Sequence, residues 1–173
     1  ILITDRTTWD KLAVSRARFE TLEHIVMRGP DVLDGEIAFD GCLDTDASGF
    51  TPVETHADEP ALLMYTSGST GMPKGMLHAH RILHAYLPTV TMFYNLELDR
   101  DDTVFWSPAD WAWVGGLLDL VLPAWQLGQT VVATQQRFDS EWAFEFMSRH
   151  KVTHSFMTPT ALKRLAEVPS PRS

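Results

Sequence analysis

One eleven-residue segment decides the fold, and it reads Tyr65-Thr66-Ser67-Gly68-Ser69-Thr70-Gly71-Met72-Pro73-Lys74-Gly75. It contains four Ser or Thr hydroxyls, three glycines and one lysine, and it follows the short apolar segment 61–64. Glycine permits positive φ and a close approach of the backbone to a ligand, and successive N–H groups in such a turn form an anion-binding nest. Lys74 adds a cation that suits phosphate. The segment therefore predicts a loop that holds phosphate oxygens.

Spacing excludes three familiar loops. In the Walker A loop a Gly-Lys pair directly precedes Ser or Thr, whereas Lys74 lies between Pro73 and Gly75. The dinucleotide fingerprint G-x-G-x-x-G fails because Gly68, Gly71 and Gly75 are three and four residues apart. The nucleophile elbow G-x-S-x-G fails because no serine here has glycines at that spacing. A flexible Ser/Gly linker does not explain the Pro-Lys-Gly ending.

The segment resembles the signature loop of the adenylate-forming superfamily, which comprises acyl-CoA synthetases, luciferases and peptide-synthetase adenylation domains. That loop reads roughly Y/F-T-S-G-S/T-T-G-x-P-K-G, and residues 65–75 match it at every position. Residues 106–116 resemble the AD-x-x-W region of acetyl- and medium-chain acyl-CoA synthetases. Together with similar segments at 127–139 and 153–165, the resemblance covers most of residues 58–168.

The resemblance implies that the loop closes over the triphosphate of ATP while a substrate carboxylate attacks the α-phosphorus. Lys74 would steady the β- and γ-phosphates and, with Thr70, take part in catalysis. Thr70 is also an implied Mg²⁺ contact, the alternative being a hydroxyl that only stabilises the turn. The implied nucleotide-binding residues are Thr66, Ser67, Gly68, Ser69, Thr70, Gly71, Lys74 and Gly75.

The resemblance also implies a substrate pocket, lined by Trp113, Val114, Gly115 and Gly116. Bulk in such a pocket limits the length of the acyl chain, because a filled pocket rejects added methylenes. Since Gly115 and Gly116 are small, we expect room for more than an acetyl group, from propionyl to medium-chain acids. The alternative is that Trp111 and Trp113 are ordinary core aromatics.

The implied function is that of an ATP-dependent carboxylate–CoA ligase, with ATP, Mg²⁺ and CoA as its ligands. One alternative is an adenylation enzyme that loads a carrier-protein thiol, although the AD-x-x-W segment favours CoA. A second alternative, for this chain alone, is a non-catalytic nucleotide-binding module. The family's Y-G-x-T-E segment and the C-terminal domain with its catalytic lysine do not occur in these 173 residues. We therefore expect a partial N-terminal AMP-binding domain that is inactive by itself.

Composition narrows the partners and the compartment. The net charge of −9 and the pI near 5.1 argue against a nucleic-acid partner, so we expect small-molecule ligands. The single Cys42 excludes an internal disulfide and fits a cytoplasmic location. The most apolar stretch, 111–125, is shorter than the about 20 residues that span a bilayer and predicts a buried helix.

The isolated histidine and aspartate side chains form no catalytic or metal-binding pattern in the sequence. His78, His80 and His84 lack the pattern of a metal site and are interpreted as surface or capping residues. Asp110 and Asp119 have no partner carboxylate in the sequence pattern, and Asp110 is predicted to cap the helix that follows it.

Alternating strands and helices predict an α/β fold with a largely parallel sheet and helices on both faces. Residues 1–57 are expected to form a βα-type segment and an irregular connection, and residues 58–173 the signature loop and acyl-pocket region. Pro88 is expected to kink or split its helix. The predicted strands are Ile1–Thr4, Glu23–Met27, Ala61–Tyr65 (buried), Thr103–Trp106, Thr130–Thr134 and Val152–Met157. The predicted helices are Thr8–Glu20, His78–Tyr94, Val114–Leu127, one capped by Asp139 that runs to His150, and one that begins at Thr158-Pro159.

Overall fold

The computed structural model describes residues 1–67, 71–98 and 100–169. The chain forms two compact units, Ile1–Glu54 and Thr55–Ser173.

The first unit contains a parallel sheet with the strand order β1-β2-β3. Asp5 caps the first helix, since its carboxylate accepts the backbone N–H of Thr8 at 2.9 Å. Trp9 and Met27 are buried in this unit. Its elements are β1 (Leu2–Asp5), α1 (Arg6–Ala13), a 3₁₀ turn (Arg16–Arg18), β2 (Ile25–Arg28), β3 (Ile37–Ala38) and α2 (Phe39–Leu43). The last two elements lie where we expected only an irregular connection. Strand β3 forms there because Ile37 pairs in parallel with Val26 of β2.

The second unit opens with an antiparallel hairpin, β4 (Pro60–Thr66) and β5 (Lys74–Ala79). Strand β5 was not predicted, and it displaces the start of the next helix from His78 to Ile82. The prediction of a buried strand at Ala61–Tyr65 was wrong in its burial: Met64 is buried, but the other residues of β4 are half-buried or exposed.

The rest of this unit is an α/β arrangement around a second parallel sheet, with the order β7-β6-β8. Its elements are α3 (Ile82–Phe93), β6 (Val104–Trp106), α4 (Val114–Gly116), a π turn (Leu117–Val121), α5 (Leu122–Gln126), β7 (Thr130–Val131), α6 (Ser140–Arg149), β8 (His154–Ser155) and α7 (Pro159–Ala166). Pro88 lies inside α3 without splitting it.

The central strand β6 separates two hydrophobic clusters, because successive residues of a strand point to opposite faces. Phe105 is fully buried in a cluster with residues of α3, the π turn and α5. Its neighbour Trp106 is buried in a cluster with Ala143 and Phe146 of α6. Helices therefore cover both faces of a parallel sheet, which confirms the predicted fold class. The predicted caps of α6 and α7 are confirmed as well, since Asp139 and Thr158 accept the expected backbone N–H groups.

Candidate active site

The signature loop connects the two strands of the hairpin. Thr66 is paired with Lys74, and Tyr65 with Gly75, at the end of the hairpin where β4 stops and β5 starts. Antiparallel pairing thereby brings the first hydroxyl and the lysine of the motif to the same end of the hairpin. Three predicted ligand-binding residues, Gly68, Ser69 and Thr70, lie outside the described residues.

Glycine is needed at two positions of the motif for different structural reasons. Gly71 has φ of +107°, a conformation that other residues rarely adopt. A Cβ on Gly75 would lie 3.0 Å from Leu63 Cδ1 and 3.4 Å from Tyr65 Cζ, so glycine leaves space for these two side chains of β4. One glycine thus allows a positive φ, and the other accommodates side chains of the neighbouring strand.

The polar groups of the loop that the structure describes are open to solvent. Thr66, Ser67 and Lys74 are all exposed. Among residues 1–67, 71–98 and 100–169, no carboxylate forms an ion pair with Lys74. The ammonium group is therefore accessible to an anionic ligand.

The predicted pocket residues follow β6 and begin the helical segment 114–126. Trp113 is 65% exposed, and its backbone carbonyl accepts the N–H of Leu117 at 3.0 Å. Trp111 is 38% exposed and packs edge-to-face on Trp125, with ring centroids 5.7 Å apart. The alternative that Trp111 and Trp113 are core aromatics was therefore wrong. The prediction of a buried helix over the apolar stretch is confirmed in part: the stretch is helical from Val114 onward, with Leu118, Leu120, Val121 and Ala124 buried.

The space beside the glycine pair is already filled. A Cβ on Gly115 would lie 2.4 Å from Cε1 of Phe156, and one on Gly116 would lie 2.6 Å from the carbonyl oxygen of Asp110. Gly115 therefore accommodates an aromatic ring, and Gly116 accommodates backbone. No open space therefore remains in the direction of a Cβ on either glycine, and the expectation of room for a longer acyl group stays a prediction.

Asp110 is structural, but it is not the helix cap that we predicted. Its carboxylate Oδ1 accepts the N–H of Ala112 at 2.8 Å, and its carbonyl accepts the N–H of Trp113 at 3.0 Å. These bonds close a tight turn before the helix, whose N-cap position is held by Trp113.

Sequence reasoning missed a polar contact between α3 and the π turn. Asp119 is half-buried in that turn, and burial raises the pKa of its carboxyl group, an effect that the neighbouring Tyr86 hydroxyl partly offsets. The Tyr94 hydroxyl donates to the Asp119 backbone carbonyl at 3.1 Å. Burial and the Asp119 charge raise the pKa of both tyrosines. The only signal for this contact was the interruption of an apolar stretch by one aspartate.

Neither a metal-binding cluster nor a membrane-spanning helix is found in the part of the chain that the structure describes. There, no three His, Cys, Asp or Glu side chains come close enough to hold a metal ion. Of the three histidines considered above, His84 lies 3.3 Å from Gln126, between Nδ1 and Nε2. No helix in the described ranges has the length and hydropathy required to cross a bilayer.

Comparison with known proteins decides the family. All of residues 1–173 match the family described as AMP-binding enzyme. The chain belongs to that family. The AMP-binding chain is 30% identical over 168 residues to an acetyl-coenzyme A synthetase of Shewanella sediminis, a match that covers 88% of this chain and 25% of that protein. It is 36% identical over 118 residues to the acetyl-coenzyme A synthetase of Agrobacterium fabrum, with 66% and 18% covered.

A solved structure agrees with these matches. The AMP-binding chain superposes on the Brucella canis acyl-CoA synthetase with a TM-score of 0.77 and 26% identity, over 95% of this chain and 29% of that one. The resemblance to adenylate-forming enzymes of the acyl-CoA synthetase type is thereby confirmed. The chain spans a quarter or less of the length of the two acetyl-coenzyme A synthetases.

Proposed function

We propose that the protein containing this chain is an ATP-dependent carboxylate–CoA ligase. It activates a short- to medium-chain carboxylic acid as an acyl-adenylate and transfers the acyl group to CoA. The observation that carries the proposal is the hairpin that places Lys74 opposite Thr66 at the base of a family-matched signature loop. The similarity to acetyl-coenzyme A synthetases supports the choice of reaction.

In the first step, a carboxylate oxygen of the substrate bonds to the α-phosphorus of ATP. The bond from that phosphorus to the bridging oxygen breaks, and pyrophosphate leaves with the electron pair. Lys74 neutralises charge on the leaving phosphates, while the Thr66, Ser67, Ser69 and Thr70 hydroxyls donate hydrogen bonds. Gly68, Gly71 and Gly75 let the backbone approach the phosphates. Mg²⁺, when bound, would supply further charge neutralisation, and Thr70 is its proposed contact.

In the second step, the CoA thiolate attacks the acyl carbonyl carbon and AMP leaves. We place the acyl group against Trp113, Val114, Gly115 and Gly116, which lie together after the carboxyl end of β6. Ligands of open α/β sheets bind outside the carboxyl ends of the strands, which supports this placement.

The proposed setting is a cytoplasmic enzyme with small-molecule substrates. The exposed free thiol of Cys42 supports a reducing compartment. The net charge of −9 disfavours a nucleic-acid partner.

The decisive experiment is exchange of labelled pyrophosphate into ATP by the full-length protein. We expect exchange that requires a carboxylate and proceeds without CoA, and AMP release on addition of CoA. If AMP release requires a carrier protein with a free thiol and CoA does not cause it, the thiol acceptor is a carrier. If no carboxylate supports exchange, the proposal is wrong. Isothermal titration calorimetry of the 1–173 chain with ATP tests whether this part binds nucleotide by itself, as a non-catalytic module does.

A further inference from the structure

Pro123 interrupts the hydrogen bonding of the helical segment 114–126. In an α-helix each carbonyl accepts the N–H four residues later, so the carbonyl of Asp119 would accept from residue 123. Proline has no N–H, and its ring crowds the carbonyl four residues before it. The segment contains the π turn (Leu117–Val121) directly before this proline, and the N–H that ends the turn bonds to a carbonyl five residues earlier.

The hydroxyl of Tyr94 supplies a donor to the carbonyl that Pro123 leaves without its helical partner. Tyr94 directly follows α3, and its hydroxyl donates to the Asp119 carbonyl at 3.1 Å. Its ring is buried and packs edge-to-face on Phe105, with centroids 5.3 Å apart. Burial and the charge of Asp119 raise the pKa of this hydroxyl, so it keeps the proton that it donates. The donor is therefore held in place by the core.

The π turn sets the direction in which the residues before it point. A π turn accommodates about one residue more than an α-turn, and one residue corresponds to a rotation of about 100° about the helix axis. Closing the π turn into an α-turn would therefore rotate residues 113–116 relative to α5. The fit of that segment is close, since a Cβ on Gly116 would lie 2.6 Å from the carbonyl oxygen of Asp110. The orientation of residues 113–116 thus depends on the π turn.

We propose that Tyr94 is a positioning residue, its hydroxyl holding the π turn at Pro123 and thereby the orientation of residues 113–116. This assignment rests on the proposed ligase function, in which those residues contact the carboxylate substrate. Tyr94 acts through the helix, because its hydroxyl is bonded to the Asp119 carbonyl. Loss of the hydroxyl removes this donor, and the turn reorganises. A misplacement of about 1 Å in a bound group lowers the rate by up to about 100-fold.

The test compares Tyr94→Phe with the wild type in the full-length enzyme, by carboxylate-dependent pyrophosphate exchange. We expect Tyr94→Phe to raise the KM for the carboxylate by about 10-fold or more, with the KM for ATP unchanged. A role in stability alone would lower the amount of active enzyme and leave both KM values unchanged. Tyr86→Phe, which removes the α3 hydroxyl beside the Asp119 carboxyl group, is the matched control and should keep both KM values.

Pro123→Ala tests the mechanism, because alanine restores the N–H that proline lacks. In this background the helix closes as an α-turn without the tyrosine hydroxyl. We therefore expect Pro123→Ala to raise the KM for the carboxylate by itself, and Pro123→Ala/Tyr94→Phe to have the same KM as Pro123→Ala. Tyr94→Phe should also lower the midpoint of urea unfolding in the wild-type background, and much less in the Pro123→Ala background.

The outcomes separate this assignment from the ligase function. If the wild type is active and Tyr94→Phe keeps its KM for the carboxylate, the assignment is wrong while the ligase function stands. Equal effects of Tyr94→Phe in the two backgrounds would also overturn it. If the wild type activates no carboxylate, the ligase function fails and takes the positioning role with it. Should Tyr94→Phe alone fail to fold, the double variant decides: folding with the KM of Pro123→Ala supports the assignment, and failure to fold overturns it.

Discussion

Lys74 lies directly opposite Thr66 across the antiparallel hairpin of β4 and β5. The cation and the first hydroxyl of the motif are thus held at the same end of two paired strands. In the proposed reaction, the strands fix where the loop begins and ends, and the loop residues between them contact the phosphates. The lysine is exposed, so its side chain contributes charge to a ligand and little to the packing of the hairpin.

Lys74→Ala is expected to lower the rate of adenylation by about 10²- to 10³-fold, the usual loss when one preorganised charge or donor is removed. Pyrophosphate exchange in the full-length enzyme measures it, and circular dichroism should remain that of the wild type. Lys163→Ala, which removes an exposed lysine of α7, is the matched control. Normal exchange by Lys74→Ala would contradict the role of this residue.

Local signals in the sequence predict part of this fold well. Asp139 and Thr158 were identified as caps because a capping residue contacts a backbone N–H only three residues later. Strand β5 was missed because residues 74–79 show no apolar alternation, and their extended conformation comes from pairing with β4. That pairing is a tertiary effect that overrides weak local propensity.

The candidate site divides in the same way. The loop residues could be identified from the sequence because they form one contiguous motif. The contact between Phe156 and Gly115 could not, because the parallel alignment of β6 and β8 brings together residues that are distant in the sequence. Nothing in the composition near Gly115 indicates which distant ring fills its space.

Gly71→Ala is expected to impair the loop through backbone strain. Gly71 has φ of +107°, and forcing an L residue into such a region costs about 1–3 kcal/mol. We expect a weaker apparent affinity for ATP in the full-length enzyme, measured by the KM for ATP in the exchange assay. Gly128→Ala imposes comparable strain at φ of +72° after α5, and it should reduce thermal stability with the KM for ATP unchanged. Equal KM values for the two variants would contradict this prediction.

Leu96→Gly is expected to stabilise the protein. Leu96 has φ of +61° and its side chain is 69% exposed, so glycine relieves backbone strain of about 1–2 kcal/mol while losing little burial. The greater flexibility of glycine in the unfolded chain offsets part of this gain. Urea unfolding should show a higher midpoint for the variant. Leu162→Gly, at a similarly exposed position inside α7, is the control and should lower the midpoint, because glycine destabilises a helix. A lower midpoint for both variants would show that Leu96 is unstrained.

Asp119→Asn is expected to stabilise the protein at neutral pH and to have less effect in acid. Burial raises the pKa of the Asp119 carboxyl group in the folded state, so the folded protein binds this proton more tightly than the unfolded chain does. The contribution of this group to stability therefore falls as pH rises from its ordinary pKa through its folded pKa. Asparagine carries no charge, so the advantage of the variant should grow over the same interval. The midpoints of urea unfolding of both proteins, from pH about 4 to neutral, measure this difference. Asp101→Asn, which changes an exposed residue, is the control. An advantage for Asp119→Asn that does not change with pH would show that desolvation of the carboxylate is not its cause.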